Sequence, residues 1–176
     1  MPCDQPLIDV FLQPGDLLVA DAGYQLRTIL GSCVSITLWH PPTRIGAMSH
    51  FLLPTRGGPR RKQALDGRYG DEALQSILHQ LKQAGVAPAQ CQGKIFGGGN
   101  MFPGQFRAGA INVGQRNGEA ARSLLREHGI AISSESLFGF GHRQLIFDVS
   151  NGDVWSHQVK PSLREVEAEG TLRWQE

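Results

Sequence analysis

Apolar and polar residues alternate from Val34 to His40: Val34, Ile36, Leu38 and His40 on one side, Ser35, Thr37 and Trp39 on the other. That two-residue period is the signature of a β-strand. Pro41-Pro42 cannot continue a central ladder, so the chain turns there. A second β-rich run follows, from Ile45 into His50-Phe51-Leu52-Leu53-Pro54. The turn length decides which side chains meet. A four-residue loop from Pro41 to Arg44 suits L-proline better than a two-residue hairpin, which favours positive φ. It sets His50 opposite Ser35 and diagonal to Cys33, whereas a two-residue loop would set His50 directly opposite Cys33. Either length puts Cys33 and His50 on one face, and a three-residue loop would separate them. We expect the shared face.

Further strands are expected at Ile8–Leu12, Leu17–Ala20, Leu26–Leu30, Lys94–Phe96, Ile130–Leu137, Gln144–Val149 and Val154–Val159. The last two flank Ser150-Asn151-Gly152-Asp153, a hairpin composition. Leu74, Ile77, Leu78 and Leu81 recur at helical spacing and predict a helix over 71–83 that Gly85 ends. A second helix is expected over 119–128, with Asn117 as its cap and Gly129 after it. Many strands without regular strand–helix alternation imply a mixed α/β fold of the α+β type: a large mixed, mostly antiparallel sheet covered by the two helices. The expected organisation is a single domain over 1–161 and a Glu-rich tail over 162–176, in which Leu172 and Trp174 are docking candidates.

Composition narrows the class. The chain has 176 residues, 40% hydrophobic and 19% charged, with a formal net charge of +1. This describes a folded globule and offers no global electrostatic case for nucleic acid or membrane. No apolar run approaches the ~20 residues that span a bilayer, and no secretory signal is visible at the start. Cys3, Cys33 and Cys91 give neither zinc spacing nor a disulfide framework, and suit a reducing cytoplasm.

A thiol beside an imidazole suits nucleophilic acyl chemistry. Gly31 and Ser32 permit a sharp approach to Cys33, and amides at that turn are candidate donors to an oxyanion. The same residues also suit a small core cysteine and a hydrogen-bonded strand histidine.

Four ordered segments go further. Leu30-Gly31-Ser32-Cys33-Val34, Gly46-Ala47-Met48-Ser49-His50-Phe51-Leu52-Leu53-Pro54, Lys94-Ile95-Phe96-Gly97-Gly98-Gly99-Asn100-Met101 and Gly114-Gln115-Arg116-Asn117 together resemble the CheD family of chemoreceptor glutamine deamidases. The resemblance spans about residues 10–160. It departs at Leu137-Phe138-Gly139-Phe140-Gly141-His142-Arg143, where the family has Gly-Gly and then Gly-Arg. It implies a layered cysteine-hydrolase architecture, with Cys33 as nucleophile, His50 as the catalytic histidine and Thr28 as third member, Arg27 being the alternative one position away. It further implies cytoplasmic deamidation of receptor glutamines without metal or organic cofactor, and suggests a chemotaxis phosphatase partner. Two other readings use the same residues: another cysteine hydrolase, such as a peptidase or transglutaminase-like enzyme, and a non-catalytic chemotaxis-signalling module.

Other features stay secondary. Arg56, Arg60, Arg61, Lys62 and Arg68 make a basic loop around Gly57-Gly58-Pro59, readable as a solvated loop or as a rim attracting an acidic protein surface. Gly97-Gly98-Gly99 fits no phosphate-binding motif and suggests close backbone approach. Met101, Phe102 and Phe106 suit either a cleft cover or core. Cys91 reads as a free thiol in a polar linker, His79 as exposed on its helix, and His142 and His157 as structural.

Overall fold

The structure is a computed structural model that describes residues 5–59, 62–102 and 112–161. Cys3, Arg60, Arg61, Phe106 and the expected tail at 162–176 lie outside the described residues. Among the described residues, nine strands and two α-helices follow one another: β1 (Ile8–Phe11), β2 (Leu17–Ala20), β3 (Tyr24–Leu30), β4 (Val34–His40), β5 (Ile45–Ser49), α1 (Gly70–Gln83), β6 (Gln92–Gly97), α2 (Val113–Glu127), β7 (Ala131–Leu137), β8 (His142–Asp148) and β9 (Asp153–Val159).

The expected mixed α/β architecture is present, and its strands divide into two sheets. One sheet has the order β1-β3-β8-β9, the other β2-β5-β4-β6-β7. The β1–β3 and β6–β7 ladders are parallel, the others antiparallel. Alternation along β4 explains the layering. Val34, Ile36 and Leu38 pack with Leu74, Ile77, Leu81 and Leu125 of the helices, while Trp39 turns the other way to Leu26, Phe147 and Val149 of the second sheet. The five-stranded sheet is therefore the middle layer, buried on both faces, and β4 is almost wholly buried.

The β4–β5 register pairs Thr37 with Met48 and His40 with Ile45, which makes Pro41–Arg44 the four-residue loop. Beyond the strands, Val34 and Phe51 exchange both backbone hydrogen bonds at 3.1 and 3.0 Å. The same register sets Ser35 opposite His50 and Cys33 opposite Leu52.

Two expectations are corrected. Helix α2 starts at Val113, and Asn112 is its cap, its side chain accepting from the Gln115 amide at 3.1 Å. Asn117 is fully buried inside the helix. The weak helix-forming run Val113–Gly118 is helical because Gly114 and Gly118 let the helix approach closely: a Cβ on Gly114 would meet the Gly98 carbonyl oxygen at 2.5 Å. Cys91 is a core residue, 3% exposed, among the side chains beneath the helices, and burial pushes its thiol up to about 11.

Candidate active site

The two cores meet around the turn that joins β3 to β4. Thr28 faces inward from β3 and is 1% exposed; His50 follows β5 and is 2% exposed; Cys33 is half-buried at the start of β4, against the core between the sheets. Cys33 and His50 are diagonal neighbours on the face toward the second sheet. In a regular ladder such residues have Cβ atoms about 7 Å apart.

The histidine is tightly held. Its amide donates to the Asp16 carbonyl at 3.0 Å, and its carbonyl accepts from the Gly15 amide at 2.8 Å. In the side chain, Thr28 Oγ1 lies 2.8 Å from the Leu12 carbonyl oxygen and 2.8 Å from His50 Nδ1. A hydroxyl has one proton to give. It goes to the Leu12 carbonyl, which can only accept, so the hydroxyl accepts from Nδ1–H. The lone pair of the neutral ring is therefore on Nε2.

Burial lowers the proton affinity of His50, partly offset by the Leu12 carbonyl and the nearby Asp16 charge. Burial also pushes the Cys33 thiol up, partly offset by the residue's own amide. Both shifts favour an uncharged pair at rest.

The turn bearing Cys33 is fixed carbonyl by carbonyl. The Gly31 carbonyl accepts from the Gly99 amide at 2.9 Å, and the Cys33 carbonyl from the Gly98 amide at 2.9 Å. Between them, the Ser32 carbonyl accepts from Asn117 Nδ2 at 3.0 Å; the same nitrogen donates to the Leu52 carbonyl at 2.8 Å. Among the described residues, no carbonyl takes the amide protons of Ser32 or Cys33. The glycine run makes the close backbone approach expected of it: Gly97 has φ +113°, and a Cβ there would collide with the Cys33 carbonyl oxygen. Arg143 supports this run from behind. Only 3% exposed, it donates to the carbonyls of Gly97 at 2.9 Å and Phe138 at 2.6 Å and to Ser136 Oγ at 3.3 Å.

Sequence reasoning missed Asn117 and Arg143 as parts of this framework. Arg143 stands between His142 and Gln144 in a strand whose apolar run begins only at Leu145, and Asn117 read as a cap outside its helix, so neither carried a local signal of burial. Other candidates fall elsewhere. Arg27 points away and pairs with Asp9 at 2.7 Å on an exposed surface. Met101 and Phe102 are exposed, and Met101 lies against the turn, its Cγ and Sδ 3.1 Å from where a Gly31 Cβ would be. His79 is exposed, and His157 stacks on Trp155 at 5.6 Å on the outer face of the second sheet. In the basic loop, Arg56 pairs with Glu72 and Arg68 with Asp66, both against Tyr69. A cavity of about 690 Å³ between this loop and the start of α1 is lined by Arg56, Gln63, Asp71 and Glu72, without Cys33 or His50. Among the described residues no three His, Cys, Asp or Glu side chains group as metal ligands, and no helix is long and apolar enough to cross a membrane.

The two sheets of an α/β fold thus bring a hydroxyl, an imidazole and a thiol to one turn, a set of groups found in amide-hydrolysing enzymes. Residues 52–158 match the family described as CheD chemotactic sensory transduction, a match that begins two residues after His50. The chain is 75% identical over 154 residues to probable chemoreceptor glutamine deamidase CheD 2 of Albidiferax ferrireducens, covering 88% of this chain and 89% of that protein. It is 44% identical over 159 residues to probable chemoreceptor glutamine deamidase CheD of Pseudomonas savastanoi pv. phaseolicola, covering 89% of each. To probable chemoreceptor glutamine deamidase CheD 3 of Dechloromonas aromatica it is 45% identical over 149 residues, covering 85% and 86%. The chain belongs to the CheD family.

Proposed function

We propose that this protein hydrolyses glutamine side chains of methyl-accepting chemotaxis receptors to glutamate, releasing ammonia. The names of the relatives support the substrate. The observation that carries the chemistry is the Thr28–His50 hydrogen bond, which turns the basic nitrogen of a buried imidazole away from Thr28 on the face it shares with Cys33.

Cys33 Sγ attacks the carboxamide carbon while His50 Nε2 takes the thiol proton. The carbonyl oxygen becomes an oxyanion, held by the amides of Ser32 and Cys33. The imidazolium returns its proton to the amide nitrogen, the C–N bond breaks, ammonia leaves and a thioester remains. His50 then takes a proton from water, whose oxygen attacks the thioester; carbon–sulfur cleavage releases glutamate and restores the thiol. The net reaction consumes one water per amide, and this scheme uses no metal or organic cofactor.

The same reading makes 1–161 one catalytic domain working in the cytoplasm on receptor helices. A chemotaxis phosphatase partner rests on family resemblance alone.

The test is mass spectrometry of receptor fragments exposed to wild type or Cys33→Ala. A gain of about 1 Da at defined glutamines, exchange of NH₂ for OH, is expected with wild type and not with Cys33→Ala. Equal deamidation by both proteins would overturn the nucleophile. Peptide cleavage in place of the mass gain would establish a different hydrolase. No reaction at all, with chemotaxis rescued by Cys33→Ala, would establish a binding module.

A further inference from the structure

We infer that Asn117 is the positioning residue of the oxyanion site: its side-chain amide fixes the peptide unit whose N–H is that of Cys33. The inference deepens the functional reading above and rests on it.

In a planar trans peptide the carbonyl and the amide proton point in opposite directions. Holding the Ser32 carbonyl therefore aims the Cys33 N–H. Of the three consecutive carbonyls of the turn, those of Gly31 and Cys33 are held by backbone amides of the glycine run, and that of Ser32 by a side chain, Asn117 Nδ2. The second Nδ2 proton goes to the Leu52 carbonyl, in the register position opposite Cys33. One buried amide group thus ties the nucleophile's peptide to the strand that leaves His50.

Stability alone does not account for this residue. Asparagine is a poor helix-interior residue. Here it is fully buried, and among the described residues its Oδ1 accepts no hydrogen bond. An unpaired buried acceptor is destabilising, so the side chain earns its place by what Nδ2 holds. Losing one oxyanion donor costs about 10²–10³ in kcat, and a donor left free to swing loses a part of that.

The experiment compares two rates in full-length wild type, Asn117→Leu and Asn117→Ala. One is deamidation of a receptor fragment; the other is alkylation of Cys33 by iodoacetamide, followed at that residue by mass spectrometry. Alkylation displaces iodide at a saturated carbon and builds no oxyanion. The expected result is a kcat about 30- to 300-fold lower with KM within about twofold, while Cys33 alkylation stays within about twofold of wild type. A kcat within threefold of wild type, or alkylation falling in parallel with kcat, overturns the assignment. Asn117→Ala leaves room for water to solvate both carbonyls, so it supplies the comparison if Asn117→Leu does not fold. Should wild type show no Cys33-dependent deamidation, the functional reading fails instead; should wild type be active and the Asn117 variants match it, only this assignment fails.

Discussion

Arg27 and Thr28 are neighbours in the chain and point to opposite faces of β3: Arg27 outward to Asp9 at 2.7 Å, Thr28 inward to His50 at 2.8 Å. Strand alternation alone produces this division. It also gives the two residues opposite expected phenotypes.

Thr28→Val keeps the volume and removes the hydroxyl that orients the ring. A hydrogen bond to a group that becomes charged in the reaction is worth ~1.5–3 kcal/mol, so kcat should fall about tenfold to a hundredfold. Thr28→Ser should retain most activity. Arg27→Ala removes an exposed ion pair of little energetic weight and should leave kcat/KM unchanged. Steady-state ammonia release by the three variants checks the contrast. Full activity in Thr28→Val would remove Thr28 from the mechanism.

The pH profile follows from the two burial shifts. In the proposed mechanism His50 must be neutral to accept a proton, and its proton affinity lies below the ordinary histidine value. Activity is therefore lost only as pH falls through that lowered pKa, and the acid limb of kcat/KM should have its midpoint below about 6.5. The Cys33 thiol is pushed up, so it stays protonated at neutral pH. The thiolate's near-ultraviolet absorbance, taken as wild type minus Cys33→Ser, should be absent at pH 7 and grow only above about pH 8.5. A thiolate band at neutral pH would show instead that the pair rests as ions.

Arg143 predicts a stability effect. Among the described residues no carboxylate pairs with this buried cation; its work is to satisfy two carbonyls and a hydroxyl. Arg143→Met strands those acceptors and should destabilise by about 3 kcal/mol, lowering Tm by about 6–12 °C. Thermal unfolding checks this, and a Tm within 2 °C of wild type would contradict it.

The hairpin that organises the site was legible in the sequence, because alternation and a proline-bound loop set register without distant information. Helix α1 was legible for the same reason: a helical stripe is a local signal. What was not legible depends on contacts between distant residues. Alternation in β3 tells which face is buried but not that its antiparallel partner is β8, whose residues lie more than 100 positions away. The division into two sheets was therefore hidden. Helix α2 was read six residues short because Val113–Gly118 is helical through packing against the glycine run. That displacement turned Asn117 into a cap and concealed the bond from its side chain to the nucleophile's turn. Cys91 was misplaced because its polar neighbours mask a single inward-facing side chain.

The uncharged resting pair has a consequence for the idle protein. Peroxide and cellular electrophiles react with the ionised form of a cysteine. In the proposed mechanism the sulfur gives up its proton only as a glutamine arrives, and the burial that keeps it protonated until then also makes it a poor target for oxidants between substrates.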